Sequence, residues 1–407
     1  MRYSARPVSA DLKGLQHVNG QDVVSQLEKL SLFSDDPAPA VTRILFTEND
    51  MRARQFVMEL MSEAGMTIRE DPMGNIWGRW AGSDAEAGTV KADFKPNRPI
   101  EVLFFTSEEP TRFGFGCIGS RGMAGTLSPQ LLDGKLDENA TSFKDAATAV
   151  GYGGKSHQDI LAQTKVSHGK ISAFVELHIE QGPLLEREGL QIGVVTAIAA
   201  PASFRVQFKG DGGHAGALLM PDRHDPVLAA AEVALHVEKE VNAAGAGDTV
   251  GTTGAWHVLS NNINSVPREA CIEIDIRDID LARRDGVVQS VLDKVKAVAE
   301  ERGVSYWVDM INQDPPATSA HQVVNAVISA TKQLGLSHKQ MVSRAYHDSL
   351  FMAQIAPAGM IFIPCRNGWS HRPDEFSSAA DIENGVKTLA LTLAELAGSA
   401  GPDKTEL

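Results

Sequence analysis

The stretch PIEVLFFTSEE, residues 99–109, decides how the chain is read. A continuous apolar run is what a strand buried on both faces of a parallel sheet looks like. Two adjacent acids, Glu108 and Glu109, stand where that run ends. Neighbouring side chains at a strand end point opposite ways, so one carboxylate is able to hold a metal while the other faces a bound water. Metal-assisted hydrolysis requires that division of roles. A solvated pair of loop acids is the other reading, and the rest of the chain has to choose between them.

Working outward, QDVVSQLEKL and TENDMRARQFVMELMSEAG predict helices, the second capped by Thr47 or Asn49 and ending near Gly65. MTIRED, NIWGRW, ISAFVELHIEQ and MIFIPC predict strands, and SSAADIENGVKTLALTLAELAG predicts a capped amphipathic helix. Strands alternating with helices make this an α/β layer architecture. From residue 200 to 312 the pattern changes. PASFRVQFKG puts Phe204, Val206 and Phe208 on one face and Arg205, Gln207 and Lys209 on the other, the mark of a half-exposed strand. A helix, two strands, a second helix and the strand VSYWVDMI follow. In that second helix Val287, Val288, Val291, Leu292, Val295 and Val298 recur at helical spacing. The order βαββαβ is a split βαβ with one open sheet face, inserted in the larger domain. The division is therefore 1–199 for the first part of a catalytic domain, 200–312 for the insert and 313–407 for the second part.

The bulk numbers exclude several classes. The 407 residues carry a net charge of −14, with 52 acids against 38 Lys plus Arg and no overriding basic cluster, which disfavours nucleic acid. The longest apolar stretch, IGVVTAIAAPA, is too short to span a bilayer, and the opening MRYSARPVSADLKG has no apolar core of a signal peptide. Three cysteines do not make a disulfide scaffold. The expectation is a cytoplasmic protein with neither a nucleic-acid nor a membrane partner.

GFGCIG, with Gly114, Gly116 and Gly119, matches a dinucleotide fingerprint, but eight residues separate it from the strand and two are carboxylates that repel a pyrophosphate. These glycines are read instead as letting the loop pass close to something bound. HIE at 178–180 matches the first half of a zinc-deaminase signature, but Pro364 and Cys365 are followed by RNGW, without the second Cys. His178 lies in an otherwise apolar strand, as a satisfied core histidine or as a ligand. His371 follows an apolar strand in the turn-rich GWSHRPDEF. α/β sheets build their sites at strand C-terminal ends. Two imidazoles and a carboxylate there suit Zn or Mn and exclude Mg or Ca cages. His214 sits in the glycine-rich GDGGHAGA, and Arg277 on the polar face of IDIRD, as a fork for a substrate carboxylate or as a surface ion pair.

Taken together, these stretches resemble dinuclear metallohydrolases of the aminoacylase and carboxypeptidase type, peptidase family M20. The nearer resemblance is to its branch of N-carbamoyl-L-amino acid hydrolases, allantoate amidohydrolases and ureidoglycolate amidohydrolases. FTSEEPTRFGFGCIGSR, FVELHIEQGPLLE, GGHAGALLMPDR, NINSVP, EIDIRDID, RAYHDSLFMA and GWSHRPDEFSS carry it, in order along nearly the whole chain. The AIAAPAS and SRAYHDSLFMA wording is most similar to ureidoglycolate amidohydrolases. The resemblance implies a metallopeptidase-like α/β catalytic domain with an inserted ferredoxin-like lid and dimerisation domain. It makes Glu108 the general base, Glu109 and His371 ligands of a first metal and His178 a ligand of a second. Gln181, His214, Asn264, Arg277 and His347 match substrate-binding positions, with His214 reaching the partner's site in a homodimer. Two Mn²⁺ or Zn²⁺ per subunit and a small ureido or carbamoyl acid substrate follow from the same likeness.

One departure stands out. Relatives carry a segment of the type TGSHxD…YDGxxGV between NIWGRW and FKPNRPIEVLFF, supplying a His ligand and the Asp that bridges both metals. Here AGTV, ending at Val90, runs directly into KADFKPNRP. Part of the catalytic core is therefore absent, which implies fewer than two metals and an impaired enzyme, with Asp93 and His347 the first candidates for replacement ligands. A binding protein that keeps the pocket, and an incomplete gene model of an active enzyme, are the alternatives.

Overall fold

The structure, a computed structural model, describes residues 15, 17–81, 96–259 and 262–398. Val90 and Asp93 lie outside the described residues. The chain divides into two compact units, one of residues 1–196, 319–341 and 347–407, the other of residues 197–318 and 342–346.

The first unit opens with the helix Gly20–Ser31 and the helix Glu48–Glu63, the latter capped by the Thr47 side chain accepting from the Asp50 amide. Three strands follow, β1 (Thr67–Glu70), β2 (Ile76–Trp80) and β3 (Ile100–Phe104). They form a three-stranded antiparallel sheet in that order, with Ile76 opposite Phe104 and Trp80 opposite Ile100. The run expected to be buried on both faces of a parallel sheet is thus an antiparallel edge strand, with Val102 42% exposed. Among the described residues no strand pairs with the outer edge of β3. After a helix-rich stretch come β4 (Phe174–Ile179) and β5 (Ile192–Ile198).

In the second unit β6 (Ala200–Lys209), β7 (Gly213–His214), β8 (Val250–Leu259), β9 (Ser265–Val266), β10 (Glu269–Asp278) and β11 (Ser305–Gln313) run to β12 (Ala317–Thr318). The sheet order β11-β6-β10-β8 is antiparallel throughout. The helices Pro226–Ala243 and Leu281–Arg302 complete βαββαβ, as the periodicity predicts. Phe204, Val206 and Phe208 meet Ile272, Ile274 and the valines of the second helix in one core. Each such side chain, once buried, contributes about 1.5–3 kcal/mol. The opposite face carries ion pairs, Arg205–Glu273 at 2.7 Å and Lys209–Glu269 at 3.3 Å.

The chain returns through β13 (His338–Ser343) and β14 (Ala358–Ile363) to the helix Ala379–Ala397. β14 pairs parallel with β4, placing Phe362 opposite His178, and antiparallel with β5. The resulting five-stranded sheet ends at β4, whose other edge has no strand partner among the described residues. The open edges of β3 and β4 line one cavity of about 370 Å³, with Trp77, Leu103 and Phe174 among its walls.

Candidate metal and catalytic centre

Glu108 and Glu109 follow β3 in a loop tied down by its own backbone. The amides of Cys117, Ile118 and Gly119 donate to the carbonyls of Glu108, Ser107 and Thr106 at 2.8, 3.1 and 2.8 Å. Glycine is needed for this approach. A Cβ on Gly116 would lie 2.3 Å from the Glu108 carbonyl oxygen, and one on Gly119 would lie 2.0 Å from Asn75 Oδ1. Gly116 and Gly119 therefore pass close to the protein's own Thr106–Glu108 segment and Asn75, whereas a Cβ on Gly114 would meet open space.

The two acids point to different surroundings. Burial pushes the Glu108 carboxyl up to about 8, helped by the nearby charges of Asp348, Glu109 and Glu176. Cys117 Sγ lies 4.0 Å from Glu108 Oε1. Glu109 faces solvent, with Oε1 3.2 Å from His371 Nε2. The structure thus brings Glu109 and His371 together beside an open cavity of about 620 Å³. Gln181 Nε2 donates to Ser370 at 2.9 Å, tying the end of β4 to the loop that carries His371, and its buried Oε1 has no partner among the described residues.

His178 joins a second group. Glu176 and His178 are two residues apart on β4 and share a face. With His347 they offer three ligand atoms within 4.8 Å of one another. The His178 and His347 rings meet edge to face, centroids 4.6 Å apart. His178 Nδ1 bonds the Ile179 carbonyl at 2.8 Å, which turns Nε2 toward the cluster. Glu176 Oε2 accepts from the Ser349 amide and hydroxyl at 3.0 and 2.7 Å, and its Oε1 lies 3.8 Å from His347 Nδ1. His347, expected at a substrate position, is buried at 1% exposure beside Glu176. Burial holds its imidazole well below the usual histidine range. Asp348, next in sequence, accepts from the Ser120 hydroxyl, and burial with Glu176 nearby lifts its carboxyl to about 7.

The sequence reading missed Glu176, Asp348, Ser120 and Cys117. Glu176 carried a usable signal, a charged residue on the same face of an apolar strand as His178.

The remaining predicted residues belong to the second unit. β7 pairs with β9, and the Ala215 amide donates to the Asn264 carbonyl at 2.8 Å, which brings His214 and Asn264 together on an exposed turn. Arg277 donates to Asp275 through Nε at 2.7 Å and Nη2 at 3.4 Å, and to the Arg344 carbonyl through Nη1 at 3.0 Å. That is the ion-pair arrangement, with part of the fork already engaged.

The donors fit a divalent cation. Nitrogen and carboxylate oxygen converge in both groups, His178 and Glu176 are each oriented by a further bond, and four carboxylates crowd the Glu108 region.

Residues 83–395 match the model of the peptidase family M20/M25/M40. A ureidoglycolate hydrolase of Oryza sativa is 47% identical over 414 aligned positions, covering 93% of this chain and 85% of the relative. Those positions outnumber the 407 residues here, so the relative carries residues this chain lacks. An N-carbamoyl-L-amino acid amidohydrolase of Geobacillus stearothermophilus is 34% identical, covering 93% of this chain and 99% of the relative. A crystal structure of AtUAH in complex with glyoxylate superposes with a TM-score of 0.81 at 47% identity, covering 94% of this chain and 99% of that one. With that match over most of its length and relatives of this identity, the chain belongs to the peptidase family M20/M25/M40.

Proposed function

We propose that the protein hydrolyses a linear ureido C–N bond in a small acid, ureidoglycolate first among the candidates, and does so slowly because the bridging-ligand segment is absent. The observation that carries this is Glu108: a half-buried carboxyl next to Glu109, which pairs with His371, and within electrostatic reach of Glu176. A non-catalytic binding protein has no use for such a base.

Glu109 and His371 would hold a metal on one side and His178 on the other. A bound divalent cation supplies Lewis acidity toward water and the scissile carbonyl. Glu108 takes the proton from the attacking water and returns it to the departing nitrogen. The tied-down Thr106–Glu108 backbone keeps the carboxyl in place while it does so. Arg277 holds the substrate carboxylate with the Nη hydrogens left over from Asp275 and the Arg344 carbonyl. His214 polarises the carbonyl, in a homodimer, from the partner subunit.

Ammonia release from ureidoglycolate in the presence of Mn²⁺ tests this. Slow, chelator-sensitive release is expected, and Glu108→Gln lowers it by about 10²–10⁴-fold while leaving the metal content unchanged. Bound substrate with no ammonia above background refutes the hydrolytic reading.

A further inference from the structure

The geometry points to a one-metal site that this chain builds from Glu176, His178 and His347. It rests on the metal-dependent reading above, but not on turnover. Glu109 and His371 offer one oxygen and one nitrogen, both on exposed side chains. A zinc site in a protein takes three or four protein ligands, and catalytic ones keep a fourth position for water. The Glu176 group meets that count, with two imidazoles and a carboxylate.

The supporting bonds also match what a metal needs. Ligating histidines normally donate their second ring nitrogen to a carbonyl or carboxylate. His178 does so through Nδ1 to Ile179 O at 2.8 Å. Ligating carboxylates are normally held by their other oxygen. Ser349 holds Glu176 Oε2 with two donors, at 3.0 and 2.7 Å, leaving Oε1 on the side of His347. Metal bonds of about 2.1 Å in a tetrahedron put ligand atoms about 3.4 Å apart. The three atoms here lie within 4.8 Å, so small side-chain rotations close the site with the backbone fixed. β4 and the turn into the helix Asp348–Met352 supply all three ligands, so no residue of the absent segment is required.

The assignment predicts one tightly bound ion per protomer. Chelator-stripped full-length protein is titrated with Co²⁺ and Zn²⁺, and binding is followed by the visible Co²⁺ absorption and by competition with a chromophoric chelator. One Co²⁺ with the intense absorption of low coordination is expected. Glu176→Gln and His347→Gln each weaken binding of this tight ion by about 100-fold or more, whereas Glu109→Gln and His371→Gln remove only the weaker binding at their own two-ligand pair and leave the tight ion within about threefold. X-ray absorption on the unmutated Zn²⁺-loaded protein gives an answer that no folding defect can blur, with two imidazoles per zinc expected. One imidazole per zinc, two ions of similar affinity, or loss of binding in the Glu109 and His371 variants alone overturns the site. Tight binding at Glu176–His178–His347 without ammonia release leaves the site standing and removes the hydrolytic reading.

Discussion

Glu108→Gln should change how the metal-free protein responds to pH. In the folded state the Glu108 carboxyl keeps its proton to about 8, against an ordinary 4.5, chiefly because it is buried. Between those values the folded chain binds more protons than the unfolded chain, so stability falls as pH rises through that window. At about 1.4 kcal/mol per pH unit the ceiling is about 5 kcal/mol. Water entry and rearrangement of Asp348 and Glu109 reduce it, so roughly 2 kcal/mol is the expected difference. Glutamine has the shape of the protonated acid and does not titrate. Urea unfolding of chelator-treated protein at pH 5 and pH 8.5 measures the effect. The unmutated chain should lose about 2 kcal/mol more than Glu108→Gln between the two conditions. Identical pH responses would show that Glu108 is not desolvated, and the argument for it as a poised base fails.

Gly116→Ala forces a Cβ to 2.3 Å from the Glu108 carbonyl oxygen, so the base must move; ammonia release should drop by about 10²-fold, and unchanged turnover would rule out the tight loop. Arg277→Lys should raise KM for acidic substrates by about 10-fold, because a planar fork becomes a point charge. Equal loss with an uncharged amide would show that Arg277 acts on the fold and not on the carboxylate. Val102→Lys on the open edge of β3 should slow self-association, measured by light scattering on warming, since an exposed charge on an edge strand blunts strand-to-strand pairing.

The inserted unit was legible because its signal is local. Alternation in 201–210 and valine spacing in the helix Leu281–Arg302 follow from side-chain direction alone. Glu108, Glu109 and His178 were legible because they interrupt apolar strands or end them. Partners of β3 were not, because an apolar run does not say which strand lies beside it. The same limit hid the company kept by His347. It follows a turn far along the chain from His178, and only the pairing of β4 with β14 brings the neighbouring elements together. Glu176 was overlooked for a plainer reason: inside an apolar strand it reads as one polar interruption, and its worth depends on Ser349 binding its outer oxygen.

The gap between β3 and β4 bears on how firmly distances in the centre are held. Glu108 hangs from one sheet and Glu176 with His178 from another, and no ladder hydrogen bond joins them among the described residues. The Phe105 and Phe174 rings meet directly, centroids 5.9 Å apart, and two short helices, Ile118–Ala124 and Asp348–Met352, add a bridge through Ser120 on Asp348 and the Arg121 guanidinium 4.3 Å over the Phe351 ring. A ladder resists sliding at every residue, whereas side-chain contacts between two helices yield to small rotations. Side-chain packing rather than a ladder therefore couples the two sheets, and amide exchange should find them opening at different free energies. The spacing between base and ligands behaves as a hinge coordinate, set by the fit of Phe351 and Arg121, and a change at that contact alters the reach of Glu108 without touching either acid or histidine.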